Sequence, residues 1–278
     1  MIPNDPLSAP RFVLSATGQA RGVLLVHGFS GSPYELHLLA DRLVAEGYSV
    51  ALPRLAGHHQ SLRALSESTW QDWLSSAEQA LLGLHRRILQ ETQKTPQLAV
   101  VGFSMGGLLA LELARRYPAV PTFARPDLPE VRVLSVLSSP LWLPPWQEKA
   151  IVRLAGSAGL RGLAVPKLAG RDLRAKDLPK APLRPWGMPV RALASLVELM
   201  RTVRPRLPEV QQPTLLAHGQ LDHTVPVACV EALAEELGTD AAHKHKLILP
   251  RSYHIVPLDV EREELFAALV AHLDRYLG

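Results

Sequence analysis

Short apolar runs alternate along the chain with longer segments in which apolar residues recur every three or four positions. Runs that are apolar throughout are typical of strands buried on both faces, and the longer pattern is typical of helices that cover a sheet. The predicted strands are residues 22–28, 48–53, 97–102, 131–139, 213–219 and 246–250, and the predicted helices are residues 33–46, 69–89, 105–117, 227–237 and 259–276. This alternation predicts an α/β fold with a mostly parallel, doubly wound sheet.

One segment interrupts the alternation. Between residues 140 and 213 no strand pattern is visible, and prolines recur around two helical stretches at 147–160 and 190–203. We interpret residues 141–208 as an inserted helical lid, and residues 1–140 and 209–278 as the α/β core. A length of 278 residues suits one α/β domain with such an insertion.

Charge is unevenly distributed along a chain whose composition is otherwise that of a globular protein, with 47% hydrophobic and 20% charged residues. Residues 147–209 contain thirteen Lys or Arg and five Asp or Glu, a net charge of +8, so the rest of the chain carries −4 of the total of +4. A basic segment attracts nucleic acid or anionic lipid. No nucleic-acid motif accompanies it, so we expect no nucleic-acid partner and only weak association with anionic lipid surfaces.

The single cysteine, Cys229, cannot form an intramolecular disulfide, and we expect it to be a small buried residue. No apolar stretch reaches the length of a membrane span. We therefore expect a cytoplasmic protein. The histidines do not fall into ligand spacing with cysteine or acidic residues, so we expect neither a metal nor another cofactor. The oligomeric state is left open.

The stretch VGFSMGG, residues 101–107, places Ser104 between glycines where a predicted strand gives way to a helix. The pattern Gly-x-Ser-x-Gly is common by itself, but on a tight turn from strand to helix it exposes a serine hydroxyl. The helix that begins near Met105 presents its N-terminus there, which favours developing negative charge. Ser104 is the predicted nucleophile.

A nucleophilic serine requires a base that removes its proton. In doubly wound sheets the site lies at the carboxyl ends of the strands, so the base should follow a strand directly. His254 lies four residues after the last predicted strand. The histidines in predicted helices or ahead of a strand do not satisfy this condition, and His254 is therefore the predicted base.

The base needs an acid that orients it. Asp222 follows the strand 213–219 by three residues and gives the chain order Ser, Asp, His, which is found in this kind of fold. Asp127 and Asp172 are the alternative acids. His218 and His223 flank Asp222, and we expect them to form hydrogen bonds that hold its loop.

An oxyanion intermediate needs hydrogen-bond donors close to the nucleophile. The segment LVHGFSGSP follows the first predicted strand and offers the backbone amide of Phe29, with Gly28 keeping the turn close. The second predicted donor is the backbone amide of Met105.

Four motifs in this order, HGFSGSP, GFSMGG, LDHTVP and YHIVPLD, resemble those of the α/β-hydrolases, and within them the bacterial carboxylesterases and monoacylglycerol lipases. The resemblance implies an α/β-hydrolase fold with Ser104, Asp222 and His254 as catalytic triad. It also implies a serine esterase acting on short- to medium-chain esters or monoacylglycerols. Relatives carry Gly-His-Gly before a Thr-Trp-x-Asp-Trp helix, and His59 stands here where the second glycine is usual.

We expect ester hydrolysis through an acyl-enzyme on Ser104. The alternatives are another acyl transfer or a carbon–carbon cleavage on the same triad, since a fold does not fix its substrate, and a catalytically silent binding protein. A silent protein would be expected to lack a triad residue, whereas all three are present.

Apolar walls for a substrate must come from outside the polar loops of the sheet. The segment LWLPPW, residues 141–146, leaves the predicted strand 131–139 on the same edge as Ser104. The residues expected to contact the acyl chain are Leu141, Trp142, Leu143 and Trp146.

Overall fold

The computed structural model describes residues 6–119, 128–156, 163–166, 172–178 and 187–278. The strands are Arg11–Val13 (β1), Arg21–Val26 (β2), Ser49–Leu52 (β3), Gln97–Phe103 (β4), Val131–Leu137 (β5), Ala164–Pro166 (β6), Gly187–Pro189 (β7), Thr214–Gly219 (β8) and Lys244–Leu249 (β9). The α-helices are His37–Ala45 (α1), Leu62–Glu67 (α2), Trp70–Thr92 (α3), Met105–Arg116 (α4), Pro145–Gly156 (α5), Val190–Val203 (α6), Ala228–Glu236 (α7) and Arg262–Leu277 (α8).

The main sheet has seven strands in the order β1-β3-β2-β4-β5-β8-β9. Every neighbouring pair is parallel except β1 with β3. Strands β3 and β8 are buried along their whole length, as their apolar sequences predict. The sheet confirms the predicted mostly parallel, doubly wound α/β fold.

Helices cover both faces of the sheet. On one face, side chains of α3, α4 and α7 form a single apolar cluster with the strands, including Trp73, Leu108 and Leu233. On the other face, α1 and α8 contribute Leu39 and Leu269 to a second cluster. Among the described helices, none combines the length and the apolar composition that a membrane span requires.

All six predicted strands and all five predicted core helices are present, with shifted ends. The predicted helix 33–46 begins as a 3-10 turn, Pro33–Leu36, before α1. Strand β1 was not predicted, because three half-buried residues leave no periodic signal. The expectation of no strand between residues 140 and 213 is wrong, since β6 and β7 form a two-stranded antiparallel ribbon there.

Residues 141–208 lie between β5 and β8 and contain α5, the ribbon and α6. Helix α6 packs on the core: Leu199 is fully buried in the cluster with α3 and α4, and the backbone N–H of Trp70 donates to Ser195 Oγ at 2.7 Å. Helix α5 has no buried residue, and residues 157–160 of its predicted extent lie outside the described residues. The division into a core and a lid remains a prediction.

Helix α4 begins very close to the sheet. A Cβ atom on Gly106 would lie 2.1 Å from the carbonyl oxygen of Val26 in β2, and one on Gly102 would lie 2.1 Å from the carbonyl oxygen of Gly106. Backbone atoms cannot move aside as a side chain can, so only glycine fits at these two positions. The glycines of the GFSMGG motif therefore bring the turn after β4 against the end of β2.

We predict that Gly106→Ala lowers the free energy of unfolding by about 3 kcal/mol or more, because the new methyl group meets backbone. The matched control is Gly83→Ala within α3, where a Cβ meets nothing within 4 Å. Removing the flexibility of a helical glycine should stabilise this control by about 0.5–1 kcal/mol. Urea unfolding measures both, and equal stability of the two variants would contradict the packing argument.

Candidate active site

Ser104 occupies the turn between β4 and α4 in a strained backbone conformation. Its φ is 54° and its ψ is −123°, values that non-glycine residues rarely adopt. The Ser104 N–H donates to the carbonyl oxygen of Leu137 in β5 at 2.8 Å, and the Ser104 carbonyl accepts from the N–H of Gly107 at 2.8 Å. Sheet and helix thus hold the turn from both sides, and the half-buried side chain lies at the carboxyl edge of the sheet.

The three residues predicted as a triad form a chain of two contacts, in which His254 lies within hydrogen-bond distance of both Ser104 and Asp222. Ser104 Oγ is 3.1 Å from His254 Nε2, and His254 Nδ1 is 2.8 Å from Asp222 Oδ2. The carboxylate can only accept, so Nδ1 carries the proton and Nε2 is left to accept from the serine hydroxyl. This arrangement is that of a base ready to activate a nucleophile.

The side chain of Asp222 is inaccessible to solvent, and both of its oxygens have hydrogen-bond partners. Its Oδ1 accepts from the backbone N–H groups of Thr224 and Val225, both at 2.8 Å, and its Oδ2 also lies 3.1 Å from His218 Nε2. Burial raises the pKa of the carboxyl, but the hydrogen bonds from His218 and His254 outweigh burial and hold the pKa well below its usual range. Asp222 is therefore ionised at neutral pH.

The alternative acids are placed differently. The carboxylate of Asp172 accepts from the backbone N–H of His223 at 2.9 Å and lies 2.9 Å from His223 Nδ1, away from His254. Asp127 lies outside the described residues. Within the described part of the chain, Asp222 is the carboxylate that contacts the predicted base.

The loop predicted to supply an oxyanion donor lies against the nucleophile. A Cβ on Gly28 would lie 3.2 Å from Ser104 Cβ, and the Gly28 N–H donates to the buried carboxylate of Glu35 at 3.0 Å. Met105 is the first residue of α4, a position whose amide has no partner within the helix. The roles of the Phe29 and Met105 amides remain predictions.

Two buried histidines, His27 and His58, support this loop. His27 accepts from the Leu55 N–H through Nε2 at 3.2 Å, so its Nδ1 donates to the Gly28 carbonyl at 3.0 Å. The fully buried His58 stacks edge-on against the rings of His27 and Trp73, at centroid distances of 5.1 and 5.5 Å. Burial, with a smaller contribution from His27, lowers the pKa of His58 to about 3.

His59 has a left-handed backbone, with φ at 50°. Glycine adopts this conformation without strain, which fits the Gly-His-Gly segment that the family resemblance implies here. The loop keeps its shape here at the cost of some strain at His59.

The structure separates the four residues expected to contact an acyl chain. Leu141 is buried in the core cluster, and Trp142 and Leu143 are half-buried against the same cluster. The guanidinium of Arg204 lies over the Trp142 ring at 4.9 Å. Trp146 is 71% exposed in the first turn of α5. Their contact with substrate remains a prediction.

Asp259 is a site residue that the sequence reasoning missed. Its fully buried carboxylate accepts from the backbone N–H groups of Tyr253 at 2.6 Å and of Arg174, Ala175 and Val260 at 2.9 Å each. Asp259 is the last residue of the motif YHIVPLD, but the sequence alone did not indicate what its carboxylate does. A carboxylate five residues after the predicted base was the feature that could have indicated a role in holding the His254 loop.

Comparison with known proteins assigns the chain to a family. The family model described as Hydrolase_4, serine aminopeptidase S33, matches residues 18–261. The chain belongs to this family. It is a hydrolase of the α/β-hydrolase fold, and the resemblance carried by the four motifs is confirmed.

Relatives of this S33 hydrolase match it over most of their length. It is 28% identical over 264 residues to a thermostable monoacylglycerol lipase of Bacillus sp. (strain H-257), covering 92% of each chain. It is 24% identical over 251 residues to a carboxylesterase of Bacillus subtilis (strain 168), covering 88% of this chain and 89% of the relative. A solved structure reported for the metagenome-derived lipolytic enzymes LipS and LipT superimposes with a TM-score of 0.80 at 25% identity, covering 98% of this chain and 99% of the other.

We predict that His58→Phe makes the S33 hydrolase less sensitive to acid. Between the ordinary histidine pKa of 6.5 and the folded value of about 3, the unfolded chain binds a proton that the folded chain does not. The wild type therefore loses about 1 kcal/mol of stability per pH unit from this residue as the pH falls through that range.

Phenylalanine keeps the ring contacts and cannot be protonated, so the free energy of unfolding of the variant should fall less steeply with decreasing pH. Some dependence should remain, because burial also lowers the pKa of His272, to about 4. Urea unfolding curves across this range measure the slope, and identical slopes for the two proteins would contradict the prediction.

Proposed function

We propose that this enzyme hydrolyses carboxylic acyl esters, either short- to medium-chain esters or monoacylglycerols, through an acyl-enzyme on Ser104. The observation that carries the proposal is the continuous chain of contacts from Ser104 Oγ to His254 at 3.1 Å and from His254 to Asp222 at 2.8 Å. Ser104 is the nucleophile, His254 the general base and Asp222 the acid that orients it.

In the first half-reaction, His254 Nε2 takes the proton of the Ser104 hydroxyl as Oγ attacks the ester carbonyl carbon. The carbonyl oxygen becomes an oxyanion, which the backbone N–H groups of Phe29 and Met105 stabilise. The carbon–oxygen bond to the alcohol then breaks, and His254 returns the proton to the leaving alcohol. The acyl group remains on Ser104.

In the second half-reaction, water takes the place of the alcohol. His254 Nε2 removes a proton from this water as its oxygen attacks the acyl carbon, and the proton passes to Ser104 Oγ as the acid leaves. Ionised Asp222 stabilises the imidazolium form of His254 in both steps, because its negative charge lies 2.8 Å from Nδ1.

The proposed substrate class rests on two kinds of support. The similar proteins named above include a monoacylglycerol lipase and a carboxylesterase. In addition, Leu141 and Trp142 pack in the same apolar cluster as Val225 and the buried Cys229, and the Val225 N–H donates to Asp222 Oδ1 at 2.8 Å. The proposed acyl-binding wall consists of Leu141, Trp142, Leu143 and Trp146, in the apolar segment 141–146 that begins at this cluster.

The partner we propose is thus a small-molecule ester. The basic segment 147–209 would add a weak attraction to anionic lipid surfaces. Its residue Lys149 is exposed on α5, and the exposed Trp146 lies on the same helix directly before the segment. For the location we propose the cytoplasm, since the single cysteine leaves no intramolecular disulfide that would need an oxidising compartment.

We predict that Ser104→Ala reduces ester hydrolysis by at least about 10³-fold without unfolding the protein, as removal of a triad nucleophile does generally. Ser75→Ala, an exposed serine of α3, is the matched control and should retain wild-type rates. A p-nitrophenyl ester and a monoacylglycerol serve as substrates. If a fluorophosphonate labels a serine other than Ser104, Ser104 is not the nucleophile. If the wild type turns over neither ester, the alternatives are favoured: another acyl transfer, a carbon–carbon cleavage or a binding role.

We predict that Trp142→Ala lowers the ratio of medium-chain to acetyl ester turnover by about tenfold, because a lost apolar contact is worth about 1–3 kcal/mol in discrimination. Trp146→Ala should lower the ratio less, because Trp146 is 71% exposed. Val152→Ala, at an apolar residue of α5 that is 42% exposed, is the control and should leave the ratio unchanged. An unchanged ratio in both tryptophan variants, with folding preserved, excludes them from the acyl-binding wall.

A further inference from the structure

A short segment of the insertion is hydrogen-bonded to the loop that carries the triad acid. Asp172 Oδ2 accepts from the backbone N–H of His223 at 2.9 Å and from the hydroxyl of Thr224 at 2.8 Å, and Asp172 Oδ1 accepts from His223 Nδ1–H at 2.9 Å. His223 and Thr224 directly follow Asp222 in the chain. A single carboxylate thus holds the two residues that shape the loop around the acid.

The same segment is hydrogen-bonded to the loop that carries the triad base. The backbone carbonyl of Asp172 accepts from the N–H of Ile255, the residue after His254, at 3.1 Å. Two residues further on, the N–H groups of Arg174 and Ala175 donate to Asp259 Oδ1, and Asp259 Oδ2 accepts from the N–H of Tyr253, the residue before His254. Residues 172–175 are therefore linked to the chain on both sides of the base, directly to Ile255 and through the Asp259 carboxylate to Tyr253.

These contacts close one side of a frame around the His254–Asp222 pair. On the side of the sheet, the two loops are joined directly, because the N–H of Leu221 donates to the carbonyl of Ser252 at 3.1 Å. On the other side of the pair, Asp172 joins the two loops, through its side chain to His223 and Thr224 and through its backbone carbonyl to Ile255. The contact of 2.8 Å between His254 and Asp222 lies between these two links.

We propose that Asp172 is a positioning residue, which fixes the separation of the Asp222 and His254 loops and so keeps His254 aligned between the acid and Ser104. It does not touch the reacting atoms. Its carboxylate is 9% exposed, so its hydrogen bonds meet little competition from water. Because residue 172 lies within 141–208, the predicted lid would also align the base.

The test compares Asp172→Ala and Asp172→Asn with the wild type. Alanine removes all three side-chain acceptor contacts, whereas asparagine keeps one acceptor oxygen. The matched control is Asp177→Asn on the same segment, whose carboxylate is exposed and pairs with Arg262 at 2.6 Å. Loss of alignment should lower kcat for a p-nitrophenyl ester by about 10- to 100-fold in Asp172→Ala, with a smaller loss in Asp172→Asn and none in Asp177→Asn. KM should change little, because these substitutions leave the acyl-binding wall unchanged.

Two measurements that need no ester accompany the kinetics. The rate of Ser104 phosphonylation by a fluorophosphonate should fall in parallel with kcat, because the same base activates the serine. The downfield proton resonance of His254 Nδ1–H, which reports its hydrogen bond to Asp222, should weaken in Asp172→Ala as the proton exchanges faster with solvent. Thermal unfolding establishes whether each variant is folded. If Asp172→Ala does not fold, the same comparisons are made with Asp172→Asn.

The inference rests on the proposed serine esterase function, and the outcomes separate the two. If the wild type reacts with neither the fluorophosphonate nor an ester, the proposed function fails. If the wild type reacts, and a folded Asp172 variant keeps wild-type kcat, phosphonylation rate and Nδ1–H resonance, only the positioning role is overturned. Asp222→Ala is measured beside these variants. If Asp172→Ala lowers kcat as much as Asp222→Ala does, and both variants lose the Nδ1–H resonance, the positioning role is also overturned, because Asp172 would then be as important as the triad acid itself.

Discussion

The contact between helix α4 and the end of strand β2 is the constraint on which the site depends. Glycine at position 106 lets the helix backbone reach the carbonyl oxygen of Val26, which no side chain would allow. The turn before the helix is then forced into the strained conformation of Ser104, and its hydroxyl meets His254. The same contact brings the loop of Gly28 and Phe29 beside Ser104. The position of the predicted nucleophile and that of the loop predicted to supply an oxyanion donor therefore depend on the same contact.

Backbone strain is concentrated around this edge of the sheet. Among the described residues, five other than glycine have positive φ, and four of them follow β2, β3, β4 and β5: Ser30, His59, Ser104 and Ser138. Such conformations cost of order 1–3 kcal/mol each and persist only where the surroundings fix them. The sheet below is the part that can do so, because its central strands are buried on both faces. Strained loops on a rigid sheet are the arrangement expected of a site that must hold atoms in fixed positions.

Sequence reasoning succeeded where the signal is local. Apolar runs revealed the strands, and a residue just after a strand must lie at the sheet edge, so Ser104, Asp222 and His254 could be selected without a structure. It failed where the information is not local. The link from Asp172 to His223 spans 51 residues and has no periodic signature, β1 is three residues long, and the exposure of Trp146 depends on how α5 packs. The left-handed φ of His59 could be anticipated only through the Gly-His-Gly pattern that the family resemblance implies.

The loops of the site are held by carboxylates rather than by regular secondary structure. Five carboxylates, whose side chains are at most 9% exposed, each accept at least one backbone N–H of an active-site loop or its neighbour: Glu35, Asp172, Asp222, Asp259 and Glu261. A carboxylate satisfies several donors at once, which suits irregular backbone that has no ladder of its own. Their negative charges also bear on the chemistry. They disfavour an oxyanion nearby, so a developing oxyanion needs amides that point directly at it. The predicted donor at the start of α4 has the N-terminal end of the helix dipole behind it.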